Sequence, residues 1–252
     1  MNLLKKMTAL MAILPALALA GDGGFALEHA PDRTNNLVAL QHGAKLFVNY
    51  CLNCHAASMM RYNRLRDLGL SENQIKANLL FTSDKVGGLM TVAINAKDAK
   101  EWFGVAPPDL SVIARAKASD IGSGPDWIYT YLRSYYEDDS RPTGWNNMLF
   151  PNVGMPHVFW ELQGVQHAVY TDRKDAQGKA EHKFDHFALV KPGSLSKVEY
   201  DDAVADLVAY LDWMGEPAKN IRHQLGLWVL LFVGGMVVLS WRLNASYWKE
   251  IK

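Results

Sequence analysis

The chain has 252 residues, nearly half of them apolar, and its 26 lysines and arginines balance 26 acidic residues to a formal charge of zero. That balance offers no basic excess for nucleic acid, and two cysteines are too few for a disulfide scaffold. The length suits one domain with a substantial core, and neither an internal repeat nor a low-complexity tract interrupts it.

Residues 1–20 predict a secretory signal. Lys5 and Lys6 form the charged start, an apolar run extends from Met7 to Leu19, and Ala18-Leu19-Ala20 supplies a small-x-small cleavage pattern. The run is shorter than the roughly 20 residues a membrane span needs, which argues against a retained anchor. The mature chain is expected to begin near Gly21.

From Leu37 to Tyr50 the residues Leu37, Leu40, Ala44, Phe47 and Val48 recur at helical spacing and lead into Cys51-Leu52-Asn53-Cys54-His55. This C-x-x-C-H run is the attachment signature of a c-type haem: two thiols add to the two vinyl groups, and the adjacent imidazole reaches the iron. A zinc site would need a second ligand pair, which the sequence lacks. A thioredoxin-like redox pair follows a strand rather than a helix. Export agrees with the motif, because thioether attachment takes place outside the bacterial cytoplasmic membrane.

Further along, Glu137, Asp138 and Asp139 form the densest acidic run. The segment from Gly21 to Ala218 holds 19 basic and 25 acidic residues, a formal charge of −6 that suits a basic partner as well as ordinary solubility. The iron then needs a sixth ligand or an open position. Met155 stands between Gly154 and Pro156 in a loop that also contains Pro142, Gly144 and Pro151, so its thioether is restrained rather than floppy. His157, His167, His182 and His186 are rivals, and spacing alone does not choose among them.

Val165 to Tyr170 and Phe184 to Val190 have weak strand character around the polar stretch Thr171 to Lys183, which predicts a small β-hairpin insertion. Ser196 and Glu199 form a capping box for a helix with Val204, Leu207, Val208 and Leu211 on one face, and Pro217 ends it. Leu225 to Trp241 is a run of seventeen residues without formal charge. Flanking Arg222 and Arg242 and the aromatics Trp228, Trp241, Tyr247 and Trp248 mark it as a transmembrane helix over 221–243. Arg242, Lys249 and Lys252 follow it while Lys219 and Arg222 precede it, a bias that places residues 21–220 in the periplasm and 244–252 in the cytoplasm.

The ordered set of H-G-A-K-L-F-V-N-Y-C-L-N-C-H at His42 to His55, A-P-P-D-L-S at Ala106 to Ser111, F-P-N-V-G-M-P at Phe150 to Pro156 and Y-L-D-W-M-G-E-P at Tyr210 to Pro217 resembles the cytochrome c1 family. These are the haem subunits of quinol–cytochrome c oxidoreductases, the cytochrome bc1 complexes. The resemblance spans nearly the whole mature chain. It implies one covalently bound haem c on Cys51 and Cys54, with His55 as proximal and Met155 as distal ligand, a pair that saturates the iron and raises its potential. It also implies that a backbone carbonyl in the Pro107-Pro108 loop accepts the other ring proton of His55. A propionate partner follows that loop; Arg115 and Lys117 both stand near it, Lys117 where a second arginine is expected.

The expected fold is an all-α cytochrome c-like haem domain with enlarged loops, plus the hairpin and one C-terminal transmembrane helix. The implied function is one-electron transfer from a Rieske iron–sulfur protein to a soluble or membrane-bound cytochrome c, beside cytochrome b in the bacterial inner membrane, with no catalysis of its own. Rival readings are a free-standing, membrane-anchored electron shuttle and a haem sensor or enzyme with an open sixth position.

Overall fold

The computed structural model describes residues 25–92, 94–174 and 180–250, apart from the side chains of residues 173–182. The predicted signal sequence and the hairpin tip around Gly178 lie outside these described residues.

Asn36 starts the first helix, α1 (Leu37–Leu46), by accepting hydrogen bonds from the backbone of Val38 and Ala39 at 3.1 and 3.2 Å. The apolar spacing predicted one regular helix to Tyr50. Instead the chain widens into a π-helical turn over Phe47–Cys51, closed by Leu52 N donating to Phe47 O at 3.0 Å. Two asparagine amides attend the turn: Asn49 Nδ2 donates to Lys45 O at 2.8 Å and Asn53 Nδ2 to Asn49 O at 3.0 Å. Widened turns of this kind concentrate at functional sites. This one keeps Phe47, Val48, Cys51 and Leu52 buried while Asn49, Asn53 and Cys54 stay exposed.

Short elements follow: β1 (Ala57–Arg61), a 3₁₀ segment (Tyr62–Leu68), α2 (Glu72–Asn78), β2 (Leu89–Met90), α3 (Ala96–Phe103) and α4 (Ile113–Ala116). The second half contains α5 (Gly124–Arg133), β3 (Tyr135–Glu137), β4 (Trp145–Asn147), α6 (Trp160–Gln163), β5 (Gly164–Lys174), β6 (Ala180–Pro192), α7 (Lys197–Gly215) and α8 (Lys219–Tyr247).

The core is helical. The capping box at the start of α7 is formed as expected, with Ser196 N donating to Glu199 Oε2 at 2.8 Å and Glu199 N donating to Ser196 Oγ at 3.4 Å. Helix α7 lies directly on α1, with Phe47 and Tyr210 rings 5.6 Å apart at the crossing. Gly43 permits this approach: a Cβ there would stand 2.1 Å from Asp206 O and 2.7 Å from Tyr210 Cβ. Helix α5 joins the pair through Tyr200 Oη donating to Leu132 O at 2.8 Å. The two-pronged contact of Arg133 Nε and Nη2 with Asp201, at 2.6 and 2.9 Å, reinforces it. Gly43→Ala therefore forces the two helices apart, a cost of about 1–3 kcal/mol. A thermal melt of the holoprotein is expected to shift down by roughly 2–4 °C per kcal/mol, and an unchanged melt would show that the crossing is looser than these distances state.

The all-α expectation holds for this core but not for the loops, which among the described residues close into three two-stranded antiparallel sheets, β1–β2, β3–β4 and β5–β6. Backbone groups in long connections between helices need partners, and short ladders supply them. The hairpin is longer than its apolar pattern predicted. Register runs from Gly164 opposite Pro192 to Lys174 opposite Ala180, because the polar residues around Thr171 still pair through their backbones. An isolated two-stranded ribbon is marginal in water; here Gln166 Nε2 ties it to Tyr135 O at 2.6 Å, and Phe184 stacks near Phe187 and Phe25 at 4.8 and 5.6 Å.

Pro217 ends α7 as predicted, and α8 begins two residues later. Its 29 residues extend about 44 Å at 1.5 Å per residue. It is long and apolar enough to cross a membrane, and none of the apolar window is buried against the rest of the chain. The helix is longer than the predicted 221–243 at both ends, and in its first turn Lys219 and Arg222 pair with Asp212 and Glu216 at 2.7 and 2.8 Å.

Candidate functional site

After the π turn the chain folds over Cys51 O, which accepts from the backbone of Cys54 at 3.1 Å and of His55 at 2.8 Å. Both thiols are free; Cys51 is buried and Cys54 exposed. Burial, followed by the neighbouring Cys54, pushes the Cys51 thiol up to about 12, so the free side chain keeps its proton at neutral pH.

His55 Nδ1 lies 2.7 Å from Pro108 O. A carbonyl only accepts, so Nδ1 carries the proton and Nε2 presents a lone pair. Burial lowers the imidazole pKa, opposed by the Pro108 bond and by Asp109, and the ring stays neutral near pH 7. The loop holding that carbonyl is itself fastened. Asp109 accepts from Ser58 N and Ser111 N, both at 2.8 Å, and Leu110 N donates to Ala56 O at 2.8 Å. Thus the residues just after the C-x-x-C-H run are stitched to the Pro-Pro loop. The carbonyl belongs to Pro108, and Pro107 stiffens its approach through a fixed φ.

Met155 lies in the connection between β4 and α6. Two asparagines and an arginine shape this connection. Asn147 Oδ1 accepts from Leu149 N and Phe150 N at 3.0 Å, Asn146 Oδ1 accepts from Asn152 N at 2.8 Å, and Arg141 donates to Asn152 Oδ1 at 2.9 Å. Gly154 places this loop beside the Pro-Pro loop, its Cβ position 3.5 Å from Val105 Cγ1. The thioether Sδ of Met155 lies 3.5 Å from Tyr131 Oη, and the Met155 carbonyl 3.3 Å from Tyr135 Oη. Burial raises both tyrosine pKa values, so both hydroxyls keep their protons at neutral pH. Sequence reasoning missed Tyr131, Tyr135, Asn146 and Asn147. The adjacent asparagines inside a Pro- and Gly-rich loop were the available signal, since such side chains replace missing backbone partners.

The rival histidines are placed otherwise. His167 Nε2 pairs with Glu137 at 2.8 Å and His186 Nδ1 with Asp185 at 2.9 Å, both exposed, while the His182 side chain lies outside the described residues. His157 is buried, stacked on Tyr135 at 4.8 Å and edge-on to Trp145 at 5.1 Å, and burial brings its pKa down to about 4.

Among the two basic candidates, Lys117 Nζ sits 4.0 Å above the centre of the Trp127 ring and 5.8 Å from that of Phe150. Arg115 is exposed, and its side chain makes no hydrogen bond or ion pair among the described residues. The acidic run is not a free cluster either. Glu137 is engaged by His167, and Asp138 accepts from Ser140 Oγ at 2.6 Å and Asn146 Nδ2 at 2.9 Å, bonds that lower its pKa. Glu137 therefore ties β3 to β5 and Asp138 holds the turn between β3 and β4, local roles that leave the negative charge of the run in place.

Two free thiols beside a neutral imidazole with one committed nitrogen, together with a restrained thioether, form a donor set that fits a haem c. It does not fit a zinc centre: among the described residues no three His, Cys, Asp or Glu side chains converge. A family model described as the Cytochrome C1 family matches residues 88–251. The chain is similar to cytochrome c1 of Allochromatium vinosum, 45% identical over 242 residues and 96% of each chain. It is similar to the ammonia monooxygenase gamma subunit of Nitrosomonas europaea, 43% identical over 251 residues and 100% of each. Cytochrome c1 of Rhodospirillum rubrum is 28% identical over 239 residues, 84% of this chain and 82% of the relative. The family match begins after the C-x-x-C-H run, whereas the full-length relatives span it.

Proposed function

The chain belongs to the cytochrome c1 family, and from that premise we propose that Cys51 and Cys54 would tether its haem, His55 and Met155 would be its iron ligands, and Arg115 would meet a propionate. Proteins of this family carry one covalently bound haem c and serve as the haem subunit of the cytochrome bc1 complex, with cytochrome b and the Rieske protein as fellow subunits. The observation that carries the site assignment is the 2.7 Å contact between His55 Nδ1 and Pro108 O. It fixes the tautomer that leaves Nε2 as a ligand and holds the ring in one orientation.

Haem c supplies one-electron chemistry when bound. The chain's own residues would attach it through Cys51 and Cys54, while burial keeps His55 neutral and the Met155 loop lies beside the Pro-Pro loop, where its thioether could serve as the second ligand. Arg115 is preferred to Lys117 because the lysine ammonium is engaged over Trp127, whereas the guanidinium is exposed and unpaired.

The electron donor in this reading is the Rieske protein, and the acceptor is a soluble or membrane-bound cytochrome c. Residues 21–220 form the periplasmic haem domain, 221–243 the anchor and 244–252 the cytoplasmic tail. The order of Lys219 and Arg222 before the span and Arg242, Lys249 and Lys252 after it supports that orientation. A membrane-anchored shuttle outside any complex is the competing arrangement. Mild-detergent purification from membranes expressing all three subunits is expected to bring a b-type haem protein and an iron–sulfur protein with this chain. Recovery of the chain alone would leave the shuttle.

A further inference from the structure

Above Met155 the structure builds an ordered pair of hydroxyl groups that the donor set itself does not require. Tyr131 Oη is 3.5 Å from Met155 Sδ, and Tyr135 Oη is 2.6 Å from Tyr131 Oη. Each phenol has one proton to give. If Tyr135 donates to Tyr131 along the shorter of its two contacts, the Tyr131 proton is free to point at sulfur. The first bond also polarises the second.

The Tyr131 ring is held in place independently of its hydroxyl. It stacks on Trp127 at 4.9 Å and 16°, stands edge-on to Tyr135 at 5.2 Å, and its carbonyl accepts from Asn147 Nδ2 at 2.7 Å. Trp127 in turn lies under the Lys117 ammonium. A ring so fixed presents its hydroxyl to one spot, and that spot is the thioether.

We infer that Tyr131 is a positioning residue that tunes the distal ligand: its hydroxyl donates to Met155 Sδ and withdraws electron density from the sulfur. A hydrogen-bonded thioether gives less density to iron, which disfavours the oxidised state more than the reduced one and raises the reduction potential. This rests on Met155 being the distal ligand.

The test is potentiometric titration of the detergent-solubilised holoprotein, read with the long-wavelength sulfur-to-iron charge-transfer band. Tyr131→Phe keeps the ring and its stacking but removes the donor. At the native midpoint it is expected to raise the ratio of oxidised to reduced haem about threefold, a fall of about 28 mV at roughly 59 mV per decade, with a displaced charge-transfer band. Tyr135→Phe is expected to move the midpoint the same way by less, since sulfur keeps its donor. In a Met155→Leu background, Tyr131→Phe is expected to add nothing.

A native midpoint and unmoved band in Tyr131→Phe, or the same shift persisting in the Met155→Leu background, would overturn the inference. Should Tyr131→Phe not accumulate, Tyr135→Phe decides alone: a lowered midpoint supports the relay and an unchanged or raised one overturns it. The underlying ligand assignment fails separately and visibly, because Met155→Leu by itself would then keep the native potential and ignore carbon monoxide.

Discussion

Met155→Leu is expected to lower the reduction potential by roughly 100–200 mV, a fraction of the ~0.8 V that axial ligands span across haem proteins, and to admit carbon monoxide to the reduced iron. Haem attachment is untouched, because Cys51 and Cys54 lie in a separate segment fixed by the π turn and by the bonds of Asp109 to Ser58 and Ser111. Leucine fills much of the volume of methionine, so the loop keeps its packing. Its Asn146, Asn147 and Arg141 bonds do not involve the thioether and remain. The loss is therefore chemical rather than structural: the soft donor that favours reduced iron disappears. Quinol-driven reduction is expected to slow as the haem becomes a poorer acceptor. A variant with native potential and no carbon monoxide response would put the sixth ligand elsewhere. His157, buried two residues away, would come first to scrutiny.

What was legible in the sequence was what depends on short-range pattern. The C-x-x-C-H run, the capping box at Ser196 and the apolar run after Leu225 each declare themselves within a few residues, and each element forms where expected. The widening of the last turn before Cys51 was not legible, because the apolar spacing from Leu37 to Val48 suits an α-helix equally well. Choosing the wide turn depends on where Phe47 packs against Tyr210, a partner more than 160 residues away in sequence. The same holds for the hairpin: alternation marked only its apolar ends, while its length is set by backbone pairing that polar residues also satisfy.

The site divides along the same line. The identities of the thiols and of His55 were readable from spacing, and Met155 became a candidate through its flanking glycine and proline. The carbonyl partner of His55, 53 residues away at Pro108, came into view only through the family resemblance, and Tyr131, 24 residues from Met155, was not foreseen at all. The acidic run at Glu137 to Asp139 has local partners that its sequence did not announce, Glu137 meeting His167 and Asp138 accepting from Ser140 and Asn146.

Ending the chain at Asn220 is expected to convert a membrane-bound protein into a soluble one that still carries covalent haem. Every candidate haem contact lies upstream of that point, and none of the described residues of α8 is buried. The cut spares the two contacts that fasten the start of α8 to the haem domain, Lys219 Nζ to Asp212 Oδ2 at 2.7 Å and Asn220 Nδ2 to Thr34 O at 3.5 Å. It removes Arg222, whose pair with Glu216 is well exposed on the arginine side and contributes at most about 1 kcal/mol. The α1–α7 crossing and the Arg133–Asp201 contact are far from the cut in the fold and stay whole. Haem staining of the soluble exported fraction checks the outcome, and the absorption spectrum of that product is expected to match the anchored protein. Absence of any stable haem-bearing fragment would mean that the anchor helps to fold the domain rather than only to hold it at the bilayer. Recovered with native haem, the fragment would show that the residues upstream of Asn220 hold the haem without the apolar helix.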